Sequence, residues 1–474
     1  MPFVDLLSND DYVSLWFYTN TPYCNVGSFN PERPTIVMLH PLHLDSSWMY
    51  PQFDDPRLNN RYNLIAFDTR LTGKSRSKLT GKCDLWVHAA DLAHAFYHLQ
   101  LPPAHIFACD VYGQVALRFA SLFPDLCLSL TLCNVGLAVE TKTTVETMEE
   151  LGNLWAYAED LETFEYGARE LLMNNVGTNA HADLQDELVA FWEMTYPPFR
   201  RANLISYIQT ITNRAAMTST ELASITAPTL LIQADSNSRY PISYAEQLVK
   251  ELSGVRDGAV LFPVKASLGI ISIMSSSIVN QVFAKFLGRQ PEVKSTPKPQ
   301  RLTLSEFMSS ALAKMAQFKH DSSYHHRDPT SPTSFSCVST ELGKIQEERI
   351  LSYAKGERTA FSPLGPDGRP VRKFSERKDH WLEYGTDGYS YADKKVMPED
   401  SGSSSKRRGK TSNGKTDQWV DIPPDDSKGS SPGGDMSVSE VGPSVYQLVG
   451  RNRTQQMKGK LATQVGVSIT RVLR

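Results

Sequence analysis

The sequence holds no apolar run near the roughly 18 residues that span a bilayer, so no membrane segment is expected. Its start, MPFVDLLSNDDYV, lacks a basic stretch followed by an apolar one, and a secretory leader is not expected. Cysteine is scarce. Cys24, Cys83, Cys109, Cys127, Cys133 and Cys337 show no CxxC and no zinc-type spacing with histidine. Buried free thiols in a reducing, cytoplasmic compartment fit that scatter better than a disulfide framework. No period recurs, which argues against collagen, coiled-coil and repeat architectures. P-loop, GxGxxG and clustered metal-ligand patterns are missing, so no nucleotide or metal cofactor is expected, and no specific nucleic-acid partner is read from the chain. Histidine is the scarcity with most chemical consequence: there are 11 in 474 residues, with none between His181 and His320.

The net charge of −3 conceals a division. Residues 1–287 hold 19 Lys/Arg against 30 Asp/Glu, a balance of −11, and residues 288–474 hold 30 against 22, a balance of +8. Such asymmetry suggests two different jobs in one chain.

Residues 1–288 read as an α/β domain. Apolar runs at Ile36–Leu39, Leu64–Phe67, Ile106–Ala108, Leu128–Leu132, Thr229–Ile232 and Ala259–Phe262 do not alternate with polar residues, as expected of strands buried on both faces. Helical patterns lie between several of them, one at Asp91–His98 and one at Val115–Phe123 that Pro124 stops. The alternation predicts a mostly parallel central sheet with flanking helices. Residues 138–221 lack strand signals. Met148, Leu151, Trp155 and Ala158 share one helical face, as do Leu184, Leu188, Phe191 and Trp192, which predicts a helical cap inserted over the sheet.

Residues 289–474 turn to Pro, Ser, Gly and charge, and are expected to be a mostly disordered basic tail. Two helices are expected within it. One covers 303–318, opened by the capping-box pattern Thr303–Glu306; the other covers 455–473, with Met457, Leu461, Val465, Ile469 and Leu473 four apart. Residues 445–474 carry six basic side chains and no acidic one. An anionic membrane or a protein partner is the expected target of that end. Lys406, Arg407, Arg408 and Lys410 match a nuclear import signal as well as a solvated charge run.

Three segments together resemble the α/β-hydrolase superfamily. Thr35–Leu39 followed by His40, Pro41, Leu42 and His43 looks like its strand and HG-type oxyanion loop. Asp68, Arg70, Gly73 and Ser75 fall as in its D-x-R-G-x-G-x-S loop, with Leu71 in place of a glycine. His105–Ala120 looks like its nucleophile strand, elbow and helix; a fourth segment, Pro228–Pro241, resembles its late strand and acid loop more weakly. The likeness covers roughly residues 10–288.

The resemblance implies site residues. The nucleophile position falls on Asp110, as in branches that hydrolyse halides or epoxides through an alkyl ester. Read from the residue alone, Asp110 is better suited to capping the following helix than to acting as a nucleophile. Leu42 and Val111 occupy the oxyanion-donor positions by their backbone N–H groups. Tyr112 stands where the elbow has a small residue, and Pro41, which has no N–H, replaces the glycine of HG. The acid position is Asn237, with Asp235 two residues earlier, and the histidine position is Leu268. With acid and base replaced, two functions are expected as alternatives: a hydrolase of small esters, epoxides or halides, or a pseudoenzyme that keeps a small hydrophobic molecule under its cap or serves as a scaffold for partners of the tail.

Overall fold

The chain is described from a computed structural model covering residues 2–177, 180–266, 269–295 and 302–377. Thr35–Leu39 (β3), Asn63–Phe67 (β4) and Ala104–Cys109 (β6) are buried at every position. Continuous burial requires apolar cover on both faces, which parallel strands have. Alternate residues serve opposite faces. Val37, Leu39, Ile65, Ile106 and Leu132 share a core with the helices Leu85–His98 and Tyr112–Leu122, whereas Ile36, Met38, Leu64, Phe107 and Ile232 share one with the helix Ser276–Leu287.

Cys127–Cys133 (β7), Thr229–Ala234 (β8) and Val260–Val264 (β9) extend the parallel part. Phe3–Leu7 (β1) and Tyr12–Thr19 (β2) form an antiparallel edge, and the short Arg76–Ser77 (β5) pairs with β2. The order is β1-β2-β4-β3-β6-β7-β8-β9. β2 meets β4 antiparallel, and every pairing from β4 to β9 is parallel. The strands β3, β6, β7 and β8 therefore deliver residues 40–43, 110–112, 134–136 and 235–240 to one edge of the sheet, where α/β sheets place ligands.

Between β7 and β8 come the helices Lys142–Ala156, Leu161–Asn175, Ala182–Thr195 and Arg201–Thr212. They carry an apolar cluster of their own around Trp155, Phe164, Leu188 and Trp192. No helix among the described residues is long and apolar enough to cross a membrane.

A domain ending at 288 falls short of the structure. The helix Leu304–Lys319 forms with the Thr303–Glu306 capping box expected for it, and its Met308, Leu312 and Met315 enter the core of the sheet domain beside Tyr324 and Phe335. The chain continues along the domain surface. Ser331 Oγ donates to Asp10 Oδ1 at 2.7 Å, and the Cys337 N–H donates to Asp84 Oδ2 at 2.7 Å. The helix Thr340–Ala354 then packs Ile350 and Tyr353 against Ala202 and Ile205 of the inserted helices. Further on, Arg372 Nε donates to Glu165 Oε1 at 3.0 Å and Phe374 joins the apolar cluster of the insertion. Residues 302–377 thus belong to the folded body. Their average composition is polar, but their few large apolar residues are placed singly at contacts, which composition does not register. The basic cluster at 406–410, the helix expected at 455–473 and its anionic target lie outside the described residues.

Candidate functional site

Strand β6 turns into the helix Tyr112–Leu122 through Asp110, whose φ is +51°. A left-handed Asp costs about 1–3 kcal/mol and persists only where its surroundings hold it. Here the backbone is held on both sides. The Asp110 N–H donates to Cys133 O at 2.9 Å, and its carbonyl accepts from Gly113 and Gly136, each at 3.0 Å. The sharp elbow forms although Tyr112 stands in the small-residue position. Tyr112 turns into the core and accepts a 2.8 Å hydrogen bond from Thr69 Oγ1. The close approach falls on Gly113, where a Cβ would lie 3.0 Å from Val135 Cγ2.

The Asp110 side chain does not cap the helix, which has no side-chain cap. Its Oδ2 instead accepts from the Leu42 N–H at 3.0 Å. Burial pushes the carboxyl up from an ordinary 3.8 to about 7, against the opposing effects of the Leu42 N–H and the Arg239 charge. Val111 begins the helix at φ −62°, ψ −28°. Cys109 points the other way, into the core on the opposite sheet face.

No histidine serves Asp110 among the described residues, where the histidine–carboxylate ion pair is His181 with Asp183. His40 is committed at both nitrogens: Nδ1 donates to Pro41 O at 2.9 Å, and Nε2 faces Thr72 Oγ1 at 3.1 Å. Burial lowers its pKa to about 4, so it stays neutral and fixes the loop. His43 has φ +62° and is pushed to about 3 by burial and by Arg239. Its backbone is held by the insertion: the His43 N–H donates to Tyr207 Oη at 2.9 Å, and Trp192 Nε1 donates to His43 O at 3.0 Å.

Asn237 turns inward on its own loop. Its Oδ1 accepts from the Arg239 and Tyr240 N–H groups at 2.8 and 3.0 Å. Asp235 is exposed, and its Oδ1 accepts from Ser236 Oγ at 2.7 Å. Neither acid position reaches Asp110 by a hydrogen bond. Leu268 lies outside the described residues.

A cavity of about 270 Å³ opens beside this edge. The insertion supplies apolar walls through Met148, Leu151, Trp155 and Ile208, and the sheet loops supply His43 and Arg239.

Residues 34–260 match the family model of the α/β hydrolase fold. A carboxylesterase structure from the thaumarchaeon Nitrososphaera gargenis is similar at 13% identity and TM-score 0.50, covering 60% of this chain and 98% of that one. The chain carries an α/β-hydrolase-fold domain. The enol-lactonase from Burkholderia xenovorans LB400 is similar at 18% identity and TM-score 0.49, over 61% of this chain and all of that one (100%). No curated protein matches.

Within this α/β-hydrolase domain, the structure brings together Asp110 and Leu42 of the residues singled out in sequence, and leaves Asn237 and Cys109 out of the contact. Arg239 and Tyr196, which sequence reasoning did not single out, line the cavity. Neither sits in a recognisable motif. The signal available was chain position: Arg239 follows β8 within the acid loop.

Proposed function

We propose that this chain is a non-catalytic α/β-hydrolase-fold protein that holds a small hydrophobic molecule beneath a helical cap formed by residues 142–212. The observation that carries this reading is that no histidine among the described residues hydrogen-bonds Asp110: His40 is committed to Pro41 O and Thr72 Oγ1. Hydrolysis through an Asp110 alkyl ester needs a base to activate water, and the Leu42 N–H on Asp110 Oδ2 supplies only an oxyanion contact. His40 and His43 are both neutral, and neither bonds Asp110. Asp110 then ties the elbow to the loop whose His43 lines the cavity.

The six cysteines are all unpaired, which suits the cytoplasm. The basic end, residues 445–474, is assigned to an anionic membrane or protein partner on charge alone.

The test is a panel of aryl esters and epoxides offered to the full chain and to Asp110→Asn. Equal, background rates are expected from both. Turnover that disappears in Asp110→Asn would establish a rearranged hydrolase instead. A thermal-shift screen with apolar small molecules should raise the melting temperature of the full chain, and stabilisation follows ligand concentration over Kd.

A further inference from the structure

The cavity under the insertion contains one charged side chain and no compensating charge. Arg239 lines it, and no acidic residue does. The guanidinium sits 5.6 Å from the Tyr240 ring centroid, while its Nε and Nη2 are buried without a hydrogen-bond partner. The two carboxyl groups with the strongest electrostatic pull on it are engaged elsewhere. Glu140 pairs with Arg214 Nη1 at 2.8 Å, and Asp110 accepts from Leu42. Tyr196 also lines the cavity, but its hydroxyl lies toward Tyr112, Asp45 and Asp68 rather than toward Arg239. Leaving a buried polar donor unpaired costs about 1–3 kcal/mol, more for a charged one. A guanidinium with two unpaired buried N–H groups at a cavity wall is complete only when an acceptor arrives.

We propose that the cavity binds an amphipathic carboxylate, with Arg239 receiving the carboxylate and Met148, Leu151, Trp155 and Ile208 enclosing the apolar tail. This rests on the ligand-binding reading above and names the chemical class of the ligand. The planar guanidinium fork matches a carboxylate in two-point contact through the unpaired Nε and Nη2. The neutral His43 at the cavity adds no competing charge. The volume of about 270 Å³ suits a chain of modest length rather than a long acyl tail.

The probe pair is octanoate and octanamide, which share a tail and differ in charge, titrated calorimetrically into the full chain at neutral pH. Octanoate should bind at least about tenfold more tightly. Arg239→Met should abolish that preference while keeping the octanamide affinity. Equal affinity of the wild-type chain for the two probes overturns the carboxylate anchor and leaves the ligand-binding reading standing. Binding of neither probe, with no ligand from the apolar screen raising the melting temperature, overturns both. The comparison of the two probes in the wild-type chain needs no variant, and the unfolding midpoint of unliganded Arg239→Met checks that it folds.

Discussion

The Leu42 N–H and the Asp110 carboxylate lie 68 positions apart in sequence and 3.0 Å apart in the fold. The bond joins the loop after β3 to the elbow after β6, neighbouring parallel strands of the sheet. It satisfies an otherwise buried acceptor at a residue whose backbone is already strained. The contact ties the two loops together and holds the carboxyl of a residue whose φ is +51°.

Asp110 should leave a pH signature. Its folded-state carboxyl holds a proton to about pH 7, whereas the unfolded chain releases it near 3.8. Folding takes up a proton between those values, so this residue's contribution to stability falls as pH rises through the window and levels above it. Asp110→Asn removes the titration and keeps an acceptor for Leu42. Urea unfolding of both proteins should diverge in favour of the variant by up to about 4 kcal/mol between pH 4 and pH 7, from three units at about 1.4 kcal/mol each. Parallel curves would mean that the carboxyl is ionised in the fold.

How much of this was legible in the sequence depended on what kind of contact was involved. The parallel strands were readable because burial on both faces writes an unbroken apolar run, as in Thr229–Ala234. The antiparallel edge was missed. In β2 only Val13, Leu15, Phe17 and Thr19 are buried, so its signal is an alternation that Trp16 and Tyr18 blur. The elbow was placed on Asp110 correctly because its neighbours in sequence are its neighbours in space. Leu42 was named through the resemblance alone; its direct hydrogen bond to the Asp110 carboxyl was not readable, since only the sheet brings residue 42 to residue 110. The extension was read as tail because Phe335 and Phe374 stand alone among Ser, Thr and charged residues, with no periodicity to reveal that each fills a gap.

Met315 tests whether that extension belongs to the core. It is fully buried with Met308 and Phe335 in the cluster that includes the sheet. Truncating a buried Met to Ala costs about 2–5 kcal/mol through lost transfer energy and the cavity left behind. Met315→Ala should lower the single unfolding midpoint of the whole described body, by intrinsic fluorescence in urea. An unchanged midpoint, with only the extension melting early, would mean that it folds as a separate unit.

Gly81 marks where the extension crosses the domain. A Cβ there would sit 1.9 Å from the Gly343 carbonyl oxygen and 2.9 Å from the Glu347 backbone nitrogen. Backbone atoms of a helix cannot move aside singly, so Gly81→Ala should push the helix Thr340–Ala354 outward. A loss of about 1–3 kcal/mol is expected for such overpacking. Hydrogen exchange should report it as faster exchange in residues 340–354 while β6 and β7 stay protected.

Arg70 offers the strongest electrostatic test, because its charge is fully desolvated. It forms a two-point contact with Asp91, Nε to Oδ2 at 2.9 Å and Nη2 to Oδ1 at 2.7 Å, and Nη1 reaches Asp11 Oδ1 at 3.1 Å. One cation thus serves two buried carboxylates, and it lies in the same loop as Asp68 and Thr72, the latter touching His40. Arg70→Met would leave both carboxylates without a counter-charge, a change that costs about 3–5 kcal/mol when one partner of a buried pair is removed. The loss must depend on pH. Burial already raises the Asp91 carboxyl against the pull of the guanidinium; without that charge it rises further above its unfolded value, and the variant regains stability as pH falls. The deficit measured by urea unfolding should therefore be largest near pH 7 and shrink toward pH 4. A deficit that is the same at both values would show that Arg70 acts through packing of its stem rather than through its charge.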